Sequence, residues 1–162
     1  MGSQSEQVLF PKMINDSISD LFTRIRNASL VCQDKVLVPY NKMNKQIIQI
    51  FLQHGFIREF KEINTDNNRV DRVHGVNQRL PFVPRDKSFV VTLKYEKNTP
   101  VILKLQRLSR PSCRLYVKAQ NIPKIFRENQ LSVIFLSTSQ GILSDREAYR
   151  LKLGGEILGF VS

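Results

Sequence analysis

Three consecutive hydroxyl residues, Ser137, Thr138 and Ser139, followed by Gln140 and Gly141, interrupt an apolar stretch near the end of the chain. Small donor-acceptor groups and backbone amides at a strand end suit sugar, phosphate and base-edge contacts in a shallow RNA groove. Gly141 lets the backbone approach a ligand closely. The same residues also suit a turn that satisfies only its own backbone. Further on, Gly154, Gly155 and Glu156 set a carboxylate at a strand start. It can accept hydrogen bonds from base amino groups, orient a nearby Arg or Ser, or remain a surface charge. "RLSRPSCRLY" (107–116) interleaves arginines with a tyrosine. Arg110 and Arg114 there suit phosphates, and Tyr116 suits either stacking or a half-buried core position. Thr23, Arg24, Arg26 and Asn27 share the polar side of a helical pattern, as phosphate contacts or as a solvated face. Lys42 and Lys45 admit the same two readings.

Catalysis finds little support in the spacing. His54 and His74 lie near no recognisable nucleophile motif. Asp16 and Asp20 fit a helix start better than acid-base work. The glycines match neither the P-loop nor the dinucleotide fingerprint. Cys32 and Cys113 are isolated, without the spacing of a metal site or a disulfide framework, and a reducing compartment is expected. No catalytic residue, metal, cofactor or small-molecule substrate is expected.

Charge points to the partner. Among 162 residues, 25 Lys and Arg stand against 14 Asp and Glu, a formal net charge of +11, with the basic residues scattered along the chain. Neutralising phosphates releases condensed counterions, so a polyanion is favoured over a membrane surface, which would call for a basic amphipathic segment. No apolar run is long enough to span a bilayer. Residues 1–12 read as an extension without the pattern of a secretory signal.

The elements that must position these residues follow from periodicity. Ile18, Leu21, Phe22, Ile25 and Ala28 form one helical stripe, with Ser17 and Asp20 at capping-box spacing. A strand at 35–39 follows. A second helix begins near Asn41, burying Met43, Ile47, Ile50 and Phe51 and ending at Gly55. Strands at 56–60, 89–95 and 101–108 read as an antiparallel meander. Residues 64–87 are polar and read as a long hairpin loop. Pro111 marks a candidate boundary. Beyond it come a strand at 115–119, a short helix at 122–128, a buried strand at 131–136, the hydroxyl turn, a helix capped by Ser144 with Glu147, and a strand at 156–161. The expected class is α+β, with an α-β-α-β-β-β half and a β-rich half.

"INDSISDLFTRIRNA", "HGFI", "QRLSRP", "RLY", "LSTSQGILSDREA" and "GGEILGFV" occur in an order and spacing that resemble the small-subunit ribosomal protein eight family of bacteria and organelles. The resemblance covers about 13–161 and is most like plastid-encoded members. It implies two small α+β domains in tight contact, 13–110 and an rRNA-binding 111–162. It also implies a non-enzymatic primary binder of the central domain of small-subunit rRNA, working in a chloroplast ribosome beside neighbouring ribosomal proteins. Mitochondrial or bacterial origin and an RNA-binding regulator outside the ribosome are the alternatives. Carried over by motif, Ser137, Thr138, Ser139, Gln140 and Gly141 would contact rRNA, with Tyr116, Gly155, Glu156, Arg110 and Arg114 on the same surface. Thr23, Arg24, Arg26 and Asn27 would touch a second rRNA helix. Gln140 replaces the usual Lys or Arg, and Ser112 replaces a usual Gly.

Overall fold

Helix α1 (Ser17–Leu30) forms where Ile18, Leu21, Phe22, Ile25 and Ala28 recur at helical spacing, and all five are buried. The computed structural model describes residues 16–63, 87–128 and 132–162. The expected extension at 1–12 lies outside these residues, as does all of the expected loop at 64–87 except Lys87. The cap of α1 is Asp16, not the Ser17 expected from the sequence. Its carboxylate accepts the Ser19 hydroxyl at 2.6 Å and pairs with Arg107 at 3.2 Å. A serine could not make that ion pair, and Asp20 is drawn instead to Arg24 at 2.8 Å.

Strand β1 (Lys35–Pro39) leads to α2 (Lys42–Gln53), whose cap Asn41 accepts the Met43 amide and donates to Ser17 Oγ at 3.1 Å. Ile47, Ile48, Ile50 and Phe51 are buried as the periodicity requires, but Met43 is exposed and Asn44 takes the inward position. Asn44 Nδ2 donates to the Pro39 carbonyl, which anchors the first turn of the helix to the strand before it. Gly55 closes α2 at φ +75°. Its amide bonds to the Leu52 carbonyl and that of Phe56 to the Phe51 carbonyl, a Schellman ending that only the left-handed conformation permits.

Strands β2 (Ile57–Ile63) and β3 (Ser88–Leu93) complete an antiparallel sheet in the order β1-β3-β2. Next comes a tight hairpin, β4 (Tyr95–Glu96) and β5 (Thr99–Pro100), with Lys97 and Asn98 both at positive φ, as a two-residue primed turn requires. The expected meander breaks here. β6 (Leu105–Arg107) pairs not with β3 but with the last strand, so residues 101–108 do not continue the first sheet. Both edges of β3 are already occupied, by β1 and by β2, which leaves no place for a third partner.

The second sheet gathers β7 (Tyr116–Val117), β8 (Val133–Thr138), β9 (Gly141–Ser144) and β10 (Gly155–Val161) in the order β6-β10-β8-β9, with β7 on β10 beside β6. The strand expected at 115–119 shrinks to two residues because a 3-10 turn follows at Ala119–Asn121. Helices α3 (Ile122–Glu128) and α4 (Asp145–Arg150) complete the α+β fold. Residues of β8 alternate between two cores. Val133 and Phe135 join α1, α2 and the first sheet, while Ile134 and Leu136 join Ile122 of α3 and Ala148 of α4. Phe135 is the hinge of the larger core, with ring centroids 5.8 Å from Phe22 and 5.3 Å from Phe51.

Candidate nucleic-acid interface

Strand register brings the separated motifs into one row. Glu156 of β10 stands opposite Tyr116 of β7 on one side and Ser137 of β8 on the other. Directly paired residues of antiparallel strands share a face, so Tyr116, Glu156 and Ser137 project together. Tyr116 is 70% exposed, leaving its ring available to stack.

Glu156 is the fixed point of the row. One carboxylate oxygen accepts the Ser109 hydroxyl at 2.5 Å, and the other lies 3.8 Å from Arg114. Ser109 is fully buried, and its oxygen accepts the Leu115 amide at 3.3 Å. One hydroxyl therefore ties the loop after β6 to the chain leading into β7 and to β10. The turn between them is closed by reciprocal Arg110 and Cys113 backbone bonds at 3.0 Å. Ser112 is not among the positive-φ residues, so a side chain fits where the family pattern has Gly. Arg110 and Arg114 are both exposed at this turn.

The hydroxyl run divides its work. Ser137 and Thr138 are the last residues of β8 and not part of the turn, which consists of Ser139 and Gln140. Thr138 Oγ1 donates to the Gly141 carbonyl at 2.8 Å and accepts the Gln140 amide at 3.2 Å, so this hydroxyl serves the turn itself. The hydroxyls of Ser137 and Ser139 bond to no described residue, and Ser139 and Gln140 are exposed. Gly141 has φ +111°, and a Cβ there would come within 2.9 Å of Gln46 Nε2. Gln46 Oε1 in turn accepts the Ile142 amide at 3.2 Å, so α2 holds the hairpin against its own sheet. Gly155 acts through its missing side chain: a Cβ would lie 2.2 Å from the Ser137 carbonyl. Close pairing of β10 with the hydroxyl strand depends on that glycine.

Behind the hairpin, α4 starts with a full capping box. Ser144 Oγ accepts the Glu147 amide, and Glu147 returns a carboxylate to the Ser144 amide at 3.2 Å. Asp145 is almost completely buried. Oδ1 accepts the Arg146 amide, while Oδ2 has no partner among the described residues. Burial, only partly offset by backbone hydrogen bonds, pushes its carboxyl up to about 6.

Thr23, Arg26 and Asn27 are exposed on α1, whereas Arg24 is engaged by Asp20 and reaches the Leu37 carbonyl at 3.4 Å. No hydrogen bond or ion pair among the described residues joins this face to the hairpin. The structure thus brings together the C-terminal candidates and leaves the α1 group on another element. Sequence reading missed Ser109 and Gln46. The signal for Ser109 was present in "QRLSRP", but its carboxylate partner lies 47 residues away. His54 caps the end of α2, held below its ordinary value by burial and then by the charge of Arg146, with Glu147 acting the other way, and no nucleophile among the described residues is hydrogen-bonded to it. Among the described residues, no cluster of three metal-ligating side chains forms, and no helix is long and apolar enough to cross a membrane.

The family model described as Ribosomal protein S8 matches residues 16–162. The chain is 41% identical over 146 residues to "Small ribosomal subunit protein uS8c" of Tetradesmus obliquus, covering 90% of this chain and 97% of that protein. It is 40% identical over 149 residues to the uS8c protein of Pleurastrum terricola, with 90% and 97% covered. With "Small ribosomal subunit protein uS8" of Staphylococcus saprophyticus the identity is 36% over 149 residues, with 91% and 98% covered. A match that runs from the cap of α1 to the end of the chain, across both sheets and every motif of the row, means that this chain belongs to the Ribosomal protein S8 family.

Proposed function

We propose that this chain is a non-enzymatic structural protein of the small ribosomal subunit that binds the subunit's rRNA directly and supports its assembly for translation. The observation that carries the reading is the row Tyr116, Glu156, Ser137, continued by the exposed Ser139 and Gln140 at the hairpin tip. The row offers a ring, free hydroxyls and flanking arginines on a rigid sheet. Its one carboxylate is immobilised by a buried serine.

The hairpin tip inserts into a shallow RNA groove, where Ser139 and Ser137 hydroxyls and nearby amides meet sugar and base edges. Tyr116 stacks on an unpaired base or a ribose. Arg110 and Arg114 neutralise phosphates on either side of the turn. Gln140 supplies a hydrogen bond where a cation is usual, so the tip contributes less to salt dependence than its flanks. Thr23, Arg26 and Asn27 on α1 meet a second rRNA helix, and Arg24 joins them from its pair with Asp20. The binding unit is 111–162, with β6 added from the preceding 13–110 unit. The rRNA partner is the central domain, the location is the plastid ribosome, and other small-subunit proteins are the neighbours.

The test is a chemical footprint of the purified chain on small-subunit rRNA, together with sedimentation of organelle extract. Protection of a central-domain helix and stoichiometric travel with plastid small subunits at moderate salt are the expected results. Protection elsewhere, or a chain that stays at the top of the gradient, would overturn the reading.

A further inference from the structure

The second layer of the C-terminal sheet carries charge that the hairpin reading leaves unused. α4 turns Asp145 and Ala148 inward against β8, which leaves Arg146, Tyr149 and Arg150, at i, i+3 and i+4, on its outer face. Arg146 and Arg150 are exposed, Tyr149 is 51% exposed, and Lys152 follows at a left-handed φ of +55°. Lys124 of the adjoining α3 is exposed as well. None of these four cations forms an ion pair among the described residues.

Among the described side chains, the nearby carboxylates are turned away from this face. Asp145 is buried, Glu147 is committed to the Ser144 amide, and Glu156 is held by Ser109 on the opposite side of the sheet. The exposed charges described on this face, Lys124, Arg146, Arg150 and Lys152, are all positive. Arg146 and Arg150 are one helical turn apart, about 6 Å of rise, comparable with neighbouring phosphates along one strand. Tyr149 between them presents a ring beside the charges. Cations interleaved with an exposed aromatic fit a nucleic-acid backbone, the charges meeting phosphates and the ring a ribose or base.

We infer that Arg146, Tyr149, Arg150 and Lys152 form a second RNA-binding surface that grips the phosphate backbone of another RNA segment, on the face of the sheet opposite the Tyr116–Glu156–Ser137 row. A strand of RNA lies along α4, its phosphates on the two arginines and Lys152 and a ribose or base against Tyr149. The chain then joins two RNA segments through one sheet.

The test measures affinity for transcribed small-subunit rRNA across a salt series. One variant is Arg146→Gln/Arg150→Gln/Lys152→Gln, and the other is Ser139→Ala/Tyr116→Ala. The first leaves Ser144, Asp145 and Glu147 intact, and unchanged circular dichroism verifies its fold. Each phosphate contact accounts for a salt slope of roughly 0.7–0.9. The triple variant should therefore bind with a slope lower by about 2–3 and, at physiological salt, with a loss of roughly tenfold or more. Arg146→Lys/Arg150→Lys should retain most of the slope. An unchanged slope in the triple variant overturns the inference, including the case in which subunit assembly alone is impaired, since that assigns the face to a protein. Loss confined to the Ser139/Tyr116 variant removes the α4 surface and spares the hairpin; loss confined to the α4 variant does the reverse.

Discussion

Ser109 and Glu156 should be strongly coupled. The two lie 47 residues apart in sequence and 2.5 Å apart in space, with Ser109 fully buried and the Glu156 side chain 15% exposed. A hydroxyl bonded to a carboxylate in such a setting contributes about 1.5–3 kcal/mol. Ser109→Ala also leaves the Leu115 amide without its 3.3 Å acceptor, which costs about 1 kcal/mol more. Its total is then about 2.5–4 kcal/mol. Glu156→Ala loses the same bond and strands the buried hydroxyl, for about 2–3 kcal/mol. In the double variant the shared bond is counted once, so the singles should overshoot the double by about 1.5–3 kcal/mol. Glu156→Gln retains an acceptor for Ser109 and should cost only about 1 kcal/mol. The chain has no Trp, so urea unfolding is best followed by far-ultraviolet circular dichroism. Single-variant effects that add to within about 0.5 kcal/mol would mean that the bond does not couple the loop to the sheet, and the positioning role given to Ser109 would fall.

Gly155→Ala places a Cβ 2.2 Å from the Ser137 carbonyl, so β8 must move; a loss of about 3 kcal/mol is expected in the same unfolding assay. Ser112→Gly should destabilise by about 0.4–1 kcal/mol, because Ser112 needs no positive φ and glycine only loosens the unfolded chain. For Asp145, the folded value of about 6 lies above the ordinary 3.8, so its stabilising contribution is complete below pH 3.8 and is lost as pH rises through 6. Two units correspond to about 3 kcal/mol, so Asp145→Asn should gain on the unaltered chain by up to that amount between pH 4 and pH 7, read from stability against pH.

The helical stripes of α1 and α2 were legible because period 3.6 burial needs no knowledge of the partner. Met43 and Asn44 were exchanged because the apolar residue is the better guess inward, and only the nearby Pro39 carbonyl makes Asn44 acceptable there. Residues 101–108 read as a strand, and Leu105–Arg107 are one. An alternating pattern does not say which sheet a strand joins, and β10 proved the partner. The capping box at Ser144 was visible since both halves lie three residues apart. The Ser109–Glu156 bond was not, since no local spacing encodes it. Composition and motif drew attention to "STSQG" and "GGE". Their shared row with Tyr116 depends on register across three strands.

The central claim is that this row and the hairpin tip recognise rRNA. It is tested most directly by titrating a central-domain fragment of small-subunit rRNA with the unaltered chain and with Ser139→Ala/Tyr116→Ala. Both positions are exposed, so the double variant should keep its fold. At about 1–3 kcal/mol per lost contact, affinity should fall by roughly one to four orders of magnitude, and protection at the bound helix should disappear. Equal affinity and an unchanged footprint would contradict the account.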